Sequence, residues 1–161
     1  MAGPLNADTF RVERSILIDA PAAAIFPRVN DFHAWVEWSP YEKMDTNLAK
    51  TFTGPTSGQG AGYAWVGKKA GSGSMEITSS APSSKIVIRL DFTKPFTAHN
   101  TAEFTFEPQG QGTKVTWAMH GPNTFMSKVM GLFFSMDKLV GPQFEEGLAS
   151  LKAVTEKAPV A

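Results

Sequence analysis

Cysteine is absent from the 161 residues. Its absence removes disulfides, thiolate-bound metals, iron–sulfur clusters and cysteine nucleophiles from the possible chemistry, and it fits a reducing compartment. An excess of either charge is missing too, since 15 Lys and Arg are balanced by 15 Asp and Glu. No basic block occurs, so neither nucleic acid, which needs many phosphate contacts, nor an anionic membrane surface is an expected partner. The longest apolar stretch, 129–140, is interrupted by Ser135, Asp137 and Lys138, and it falls short of the roughly 20 apolar residues of a membrane-spanning helix. Residues 1–9 lack the basic-then-apolar pattern of a signal peptide. They read as a loose leader, and the protein as cytoplasmic. The three histidines, His33, His99 and His120, fall on separate predicted elements without ligand spacing, so no metal site is expected. No phosphate loop, nucleophile elbow or dinucleotide fingerprint occurs, and no cofactor is expected. Gly58 to Gly62 is glycine-rich but precedes a strand, which suits a flexible loop.

Aromatic and soft side chains are plentiful: 12 Phe, 4 Trp and 7 Met against 2 Tyr. They can fill a large core or line a cavity with adaptable walls. The length suits one domain, assigned to 10–157.

Alternation predicts a strand over 10–19, with Phe10, Val12, Ile16 and Ile18 on one side. Asp19-Ala20-Pro21 ends it and starts a helix over 22–29, with proline near the first helical position. A further short helical turn follows, closed by Trp38-Ser39-Pro40. Strands are predicted over 48–53, 61–66, 72–79, 85–92, 97–107 and 113–120, joined by short links that imply antiparallel neighbours. The period then changes to 3.6 from Phe125 to Val154, with Asn123 or Thr124 as cap. Pro142 is expected to kink or split that helix. Strands in succession with a long helix last imply an α+β fold, in which seven twisted strands curl around the helix.

Four stretches carry a family resemblance. They are 12–16 continuing through Asp19-Ala20-Pro21 to Ile25-Phe26; Trp38-Ser39-Pro40; Gly112 to Trp117; and Gly141 through Phe144-Glu145 to Leu151-Lys152. Their order and spacing resemble the START-like, or helix-grip, superfamily (SRPBCC) in its polyketide-cyclase and lipid-transport branch. The resemblance implies a curved antiparallel seven-stranded sheet gripping a long C-terminal helix, two short helices after strand 1, and a cavity between sheet and helix.

If Val115, Trp117 and Met119 point inward, so do Phe104, Phe106, Met75, Ile77 and the apolar series from Ile86 to Phe92. Asp91, His99, Glu103 and His120 then fall on the outer face. The expected inner wall is Trp65, Met75, Phe92, Phe104, Trp117, Met119, Met130 and Phe133, with Trp35 and the 54–62 loop near the entrance, the loop serving as a gate. Two ionisable residues share inward phases. Asp137 lies on the helical stripe and could bind a polar group or act as a base; a salt bridge with Lys138 or Lys43 is the alternative. Arg14 could anchor a carboxylate, pair with Asp137, or sit at the rim with its head in water. His33 lies near the expected mouth. The expected function is binding or transport of a small hydrophobic ligand, lipid or aromatic. The alternatives are a cyclase or dehydratase using Asp137 and Arg14 and, third, a protein-interaction module.

Overall fold

The computed structural model describes residues 9–41, 49–67, 71–94, 97–122 and 136–157. Strand β1 (Thr9–Ile18) leads to helix α1 (Ala22–Asn30) and a 3-10 helix (Phe32–Glu37). Strands β2 (Ala49–Thr53), β3 (Gly62–Val66), β4 (Ser72–Ala81), β5 (Lys85–Lys94), β6 (Ala98–Gln109) and β7 (Gly112–Pro122) follow, and helix α2 (Met136–Lys157) is last. The strands form a seven-stranded sheet in the order β1-β7-β6-β5-β4-β3-β2, antiparallel throughout. Consecutive hairpins generate this order from β2 to β7. β1 then closes beside β7, which places the first strand and the last helix at the same edge.

α2 covers that edge by packing mainly along β1. Its polar residues meet backbone groups there. Lys152 Nζ donates to the Leu17 carbonyl at 3.1 Å, and Glu156 accepts from the Asp19 amide at 2.8 Å. An edge strand with open hydrogen-bonding groups is an aggregation hazard, and these contacts blunt it. Of the two outcomes expected at Pro142, a kink or a split, the split does not occur: the proline lies inside a continuous α2. Val140, Phe144, Leu148 and Leu151 are buried on either side of it. Tertiary packing thus offsets the roughly 3 kcal/mol that an interior proline costs a helix. The start of the predicted helix, with Asn123 and Thr124, lies outside the described residues.

α1 is entered from Pro21, whose φ of −70° presets the helical turn without supplying a side-chain cap. Asp31 caps the 3-10 helix by accepting from the His33 amide. Ile25, Phe26 and Val29 are buried against the sheet. The period-2 reading of the strands holds across the sheet, with two shifts in the β4–β5 register, between Ser72 and Gly73 and between Ile77 and Ser79. Beyond the second, which skips Thr78, Ser80 Oγ donates to Asn30 Oδ1 at 2.7 Å.

Candidate functional site

Register lines up the inward side chains in transverse rows, and the rows differ in how they are covered. In one, Arg14, Trp117, Phe104 and Ile86 are neighbours. Trp117 stacks on Phe144 of α2 with centroids 4.0 Å apart and on Phe104 at 5.0 Å. Trp35 and Trp38 meet the same pair edge-on. The indole nitrogens of Trp35 and Trp38 each donate at 2.9 Å, to the carbonyls of Val29 and Arg28. Edge-to-face and offset stacks with satisfied N–H groups make a rigid plug. The half-buried Tyr41 stands edge-on to Trp117, and desolvation pushes its hydroxyl well above the usual phenol range.

Trp35, expected near an entrance, is instead 5% exposed in the middle of this plug. Its indole finds a backbone acceptor and four aromatic neighbours only there. The next row, Val12, Met119, Ala102, Ile88 and Ile77, is also buried. One row further, Phe10, Leu90 and Met75 are only half-buried, as is Phe92 beyond them. Trp65 is buried against Phe92 at 5.9 Å. The inner face therefore changes from a filled aromatic end to an apolar end with residual exposure. Met130 and Phe133 lie outside the described residues, as does the side chain of Asp137.

Among the described residues, no charged side chain faces inward from β3 to β7. The titratable groups are on the outer face, as the alternation predicts. His99 Nδ1 lies 2.8 Å and Arg89 Nε 3.0 Å from the Asp91 carboxylate. Partial burial raises the Asp91 pKa, but the hydrogen bonds from His99 and Arg89 outweigh it and hold the group below the usual carboxylate range. A carboxyl depressed on folding stabilises the fold above its unfolded pKa, about 3.9, and loses that contribution as pH falls through the folded value. The stability advantage of the native chain over Asp91→Asn is therefore expected to shrink below about pH 4. Urea unfolding at a series of pH values reads it; a constant difference down to the acid limit would contradict the assignment.

Arg14 is engaged. Its Nε donates to Glu145 at 2.9 Å and its Nη1 to the Glu13 carbonyl at 2.8 Å. A Cβ at Gly141 would fall 2.2 Å from the guanidinium, so glycine there lets α2 close over Arg14. This is a helix-to-strand clasp, a partner the sequence reading did not foresee.

The 54–62 loop, read from sequence as a flexible gate, is hydrogen-bonded to the elements beside it. The Gly58 amide donates to the Asn30 carbonyl at 3.0 Å and the Gly60 amide to the Ile77 carbonyl at 2.8 Å. Gly54, Gly58 and Gly60 all have positive φ, which glycine alone adopts freely. A groove of about 260 Å³ runs between this loop and the 3-10 helix, lined by Phe32, His33, Phe52 and Pro55 among others. His33 stacks on Phe52 at 3.9 Å, and its Nδ1 lies 2.8 Å from Asp31. Among the described residues no group of three His, Asp or Glu side chains could hold a metal ion. No described helix is long and apolar enough to cross a membrane.

Sequence reasoning missed Asn100. It pairs with Leu90 across β5 and β6 and is 8% exposed on the inner face. Its phase is that of Phe104 and Phe106, so the alternation contained it; attention to ionisable groups alone passed over a neutral amide.

Solved structures share this architecture at low identity. A Thermobifida fusca protein solved by NMR is 19% identical with a TM-score of 0.67, covering 91% of this chain and 93% of that one. Protein CV1439 from Chromobacterium violaceum is 13% identical with a TM-score of 0.64, covering 94% and 99%. Ara h 8.0201 is 10% identical with a TM-score of 0.63, covering 93% and 99%. No curated protein matches the chain. The family described as polyketide cyclase / dehydrase and lipid transport matches residues 9–156, and with the seven-stranded helix-grip fold behind that match, the chain belongs to this family of the SRPBCC superfamily.

Proposed function

We propose that the protein binds a small, largely apolar molecule against the inner wall of the sheet, at the end formed by Trp65, Met75, Leu90 and Phe92. The observation that carries this reading is the unequal covering of the wall. Trp117, Phe104 and Trp35 close one end, whereas Met75, Leu90 and Phe92 keep exposure on a face otherwise made of core. Apolar surface that remains wet on a concave wall is stabilised by an apolar occupant at about 25 cal/mol per Å² buried. Trp65, Met75 and Phe92 are the contact residues of this proposal. Phe104, Trp117, Trp35 and Met119 form its floor, while Met130, Phe133 and Asp137 are candidates for the helical side.

A cyclase or dehydratase built on Asp137 and Arg14 has less support. General acid–base chemistry needs a titratable group within reach of substrate, and the Arg14 guanidinium is already committed to Glu145. An interaction module has less support again. Among the described residues the exposed large apolar side chains Leu17, Val36, Phe52 and Val66 lie on four different elements, whereas docking surfaces are contiguous.

Native mass spectrometry of protein purified without detergent, with extraction of bound species, tests the proposal. The expected result is a retained apolar compound, or uptake of the neutral probe N-phenyl-1-naphthylamine. Phe92→Ala should weaken that uptake roughly tenfold through lost buried area, and Asp91→Asn on the outer face should leave it unchanged. Failure of the native chain to retain or take up any such compound would reject the proposal.

A further inference from the structure

The polar residue on the open half of the wall says more about the occupant. Asn100 is 8% exposed. It is not among the described groups buried away from every partner, which are Arg28 Nε and Thr155 Oγ1, so its amide, with two donors and two acceptor sites, still meets the open end of the wall. The space it occupies is specifically left for it. A Cβ on Gly121 would lie 2.3 Å from Asn100 Oδ1, so glycine at 121 lets the amide lie across the neighbouring strand. Around it stand Phe10, which pairs with Gly121; Leu90, which pairs with Asn100; and Met75, which pairs with Leu90. These are the half-buried apolar residues of the proposed wall.

Leaving a buried polar group unmade costs a fold more than replacing it with an apolar one of the same shape. An occupant that displaces solvent from this amide must therefore replace the hydrogen bonds it removes. The amide is explained if a ligand supplies its partner.

Resting on the ligand-binding proposal above, we infer that Asn100 is a specificity-determining anchor for an uncharged hydrogen-bonding group, a carbonyl or hydroxyl, carried by an otherwise apolar ligand. The described strands around Asn100 favour an uncharged group. Among the described residues no Lys, Arg or His faces inward beside Asn100 to neutralise a carboxylate, and no Asp or Glu does so to neutralise an amine. The amide can donate to a carbonyl oxygen and can both donate to and accept from a hydroxyl.

A matched pair of probes tests this: 2-acetylnaphthalene and its near-isostere 2-isopropenylnaphthalene, each competing with N-phenyl-1-naphthylamine on the full chain and on Asn100→Leu. The native chain is expected to prefer the ketone roughly tenfold. Asn100→Leu should abolish that preference while keeping the hydrocarbon's affinity, and it should unfold at the same or higher denaturant concentration. Gly121→Ala, which displaces the amide and leaves its chemistry intact, should reduce the preference as well. If the native chain binds both probes equally, the inference fails and the ligand-binding proposal stands. If Asn100→Leu is less stable, the amide is a structural partner and the inference also fails. If neither probe binds the native chain, both fall.

Discussion

Trp117→Ala is expected to destabilise the fold by about 3–5 kcal/mol, the range for removing a large buried aromatic side chain. Trp117 is 3% exposed and touches every layer at the filled end. It stacks on Phe144 from α2, on Phe104 from the neighbouring strand, and meets Trp35 and Trp38 edge-on from the segment after α1. Alanine would leave a void bounded by rings, and rings close poorly around lost volume because they pivot on few torsions. Trp117→Phe should recover part of the loss by keeping one ring in the stack. Urea unfolding followed by circular dichroism measures both. A loss under about 1 kcal/mol for the alanine variant would mean that the cluster repacks freely, contrary to the rigid plug described.

Gly147→Ala is expected to destabilise by about 1–2 kcal/mol, although the same change in an exposed helix stabilises by about 1 kcal/mol. The sign turns on contact. A Cβ at Gly147 would lie 2.8 Å from Trp117 Cζ3 and 3.0 Å from Pro40 Cδ. Neither neighbour can yield easily, since the indole is held between Phe144 and Phe104 and the proline ring is tied to the backbone. α2 must then lift from the sheet or the plug must shift, and overpacking of this kind costs about 1–3 kcal/mol. The two substitutions should couple: with Trp117 replaced by alanine the nearer obstacle is gone and only Pro40 remains, so Gly147→Ala should cost less than it does in the native chain. A double-mutant cycle of unfolding free energies reads the coupling. Additive effects would show that α2 and Trp117 do not share the contact.

The sheet was legible from alternation because one face is buried, which makes a period of 2 visible in Val12, Ile16 and Ile18 or in Ile86, Ile88 and Leu90. The same rule placed Asp91, His99, Glu103 and His120 outside. What alternation does not encode is how far along a strand the covering elements reach. The difference between buried Phe104 and half-buried Phe92 was therefore invisible, and Trp35 was set at an entrance when it lies in the plug. The docked 54–62 loop rests on backbone bonds to Asn30 and Ile77, which any residue type can make, so composition alone suggested flexibility. Pro142 signals a kink or a split locally, whereas burial of Val140 and Phe144 keeps the helix continuous from outside.

The division of the tryptophans between the two ends has an optical consequence. Trp35, Trp38 and Trp117 stand within 6.2 Å of one another as ring centroids, close enough to act as one coupled chromophore that reports on the integrity of the fold. Trp65 stands apart on the open wall, with Tyr63 and Phe92 as its ring neighbours. The protein thus carries two built-in reporters, a three-indole cluster centred in the plug and a single indole on the open wall, where the proposed ligand would sit. A chain in which only Trp65 is replaced separates folding from occupancy in a single emission spectrum.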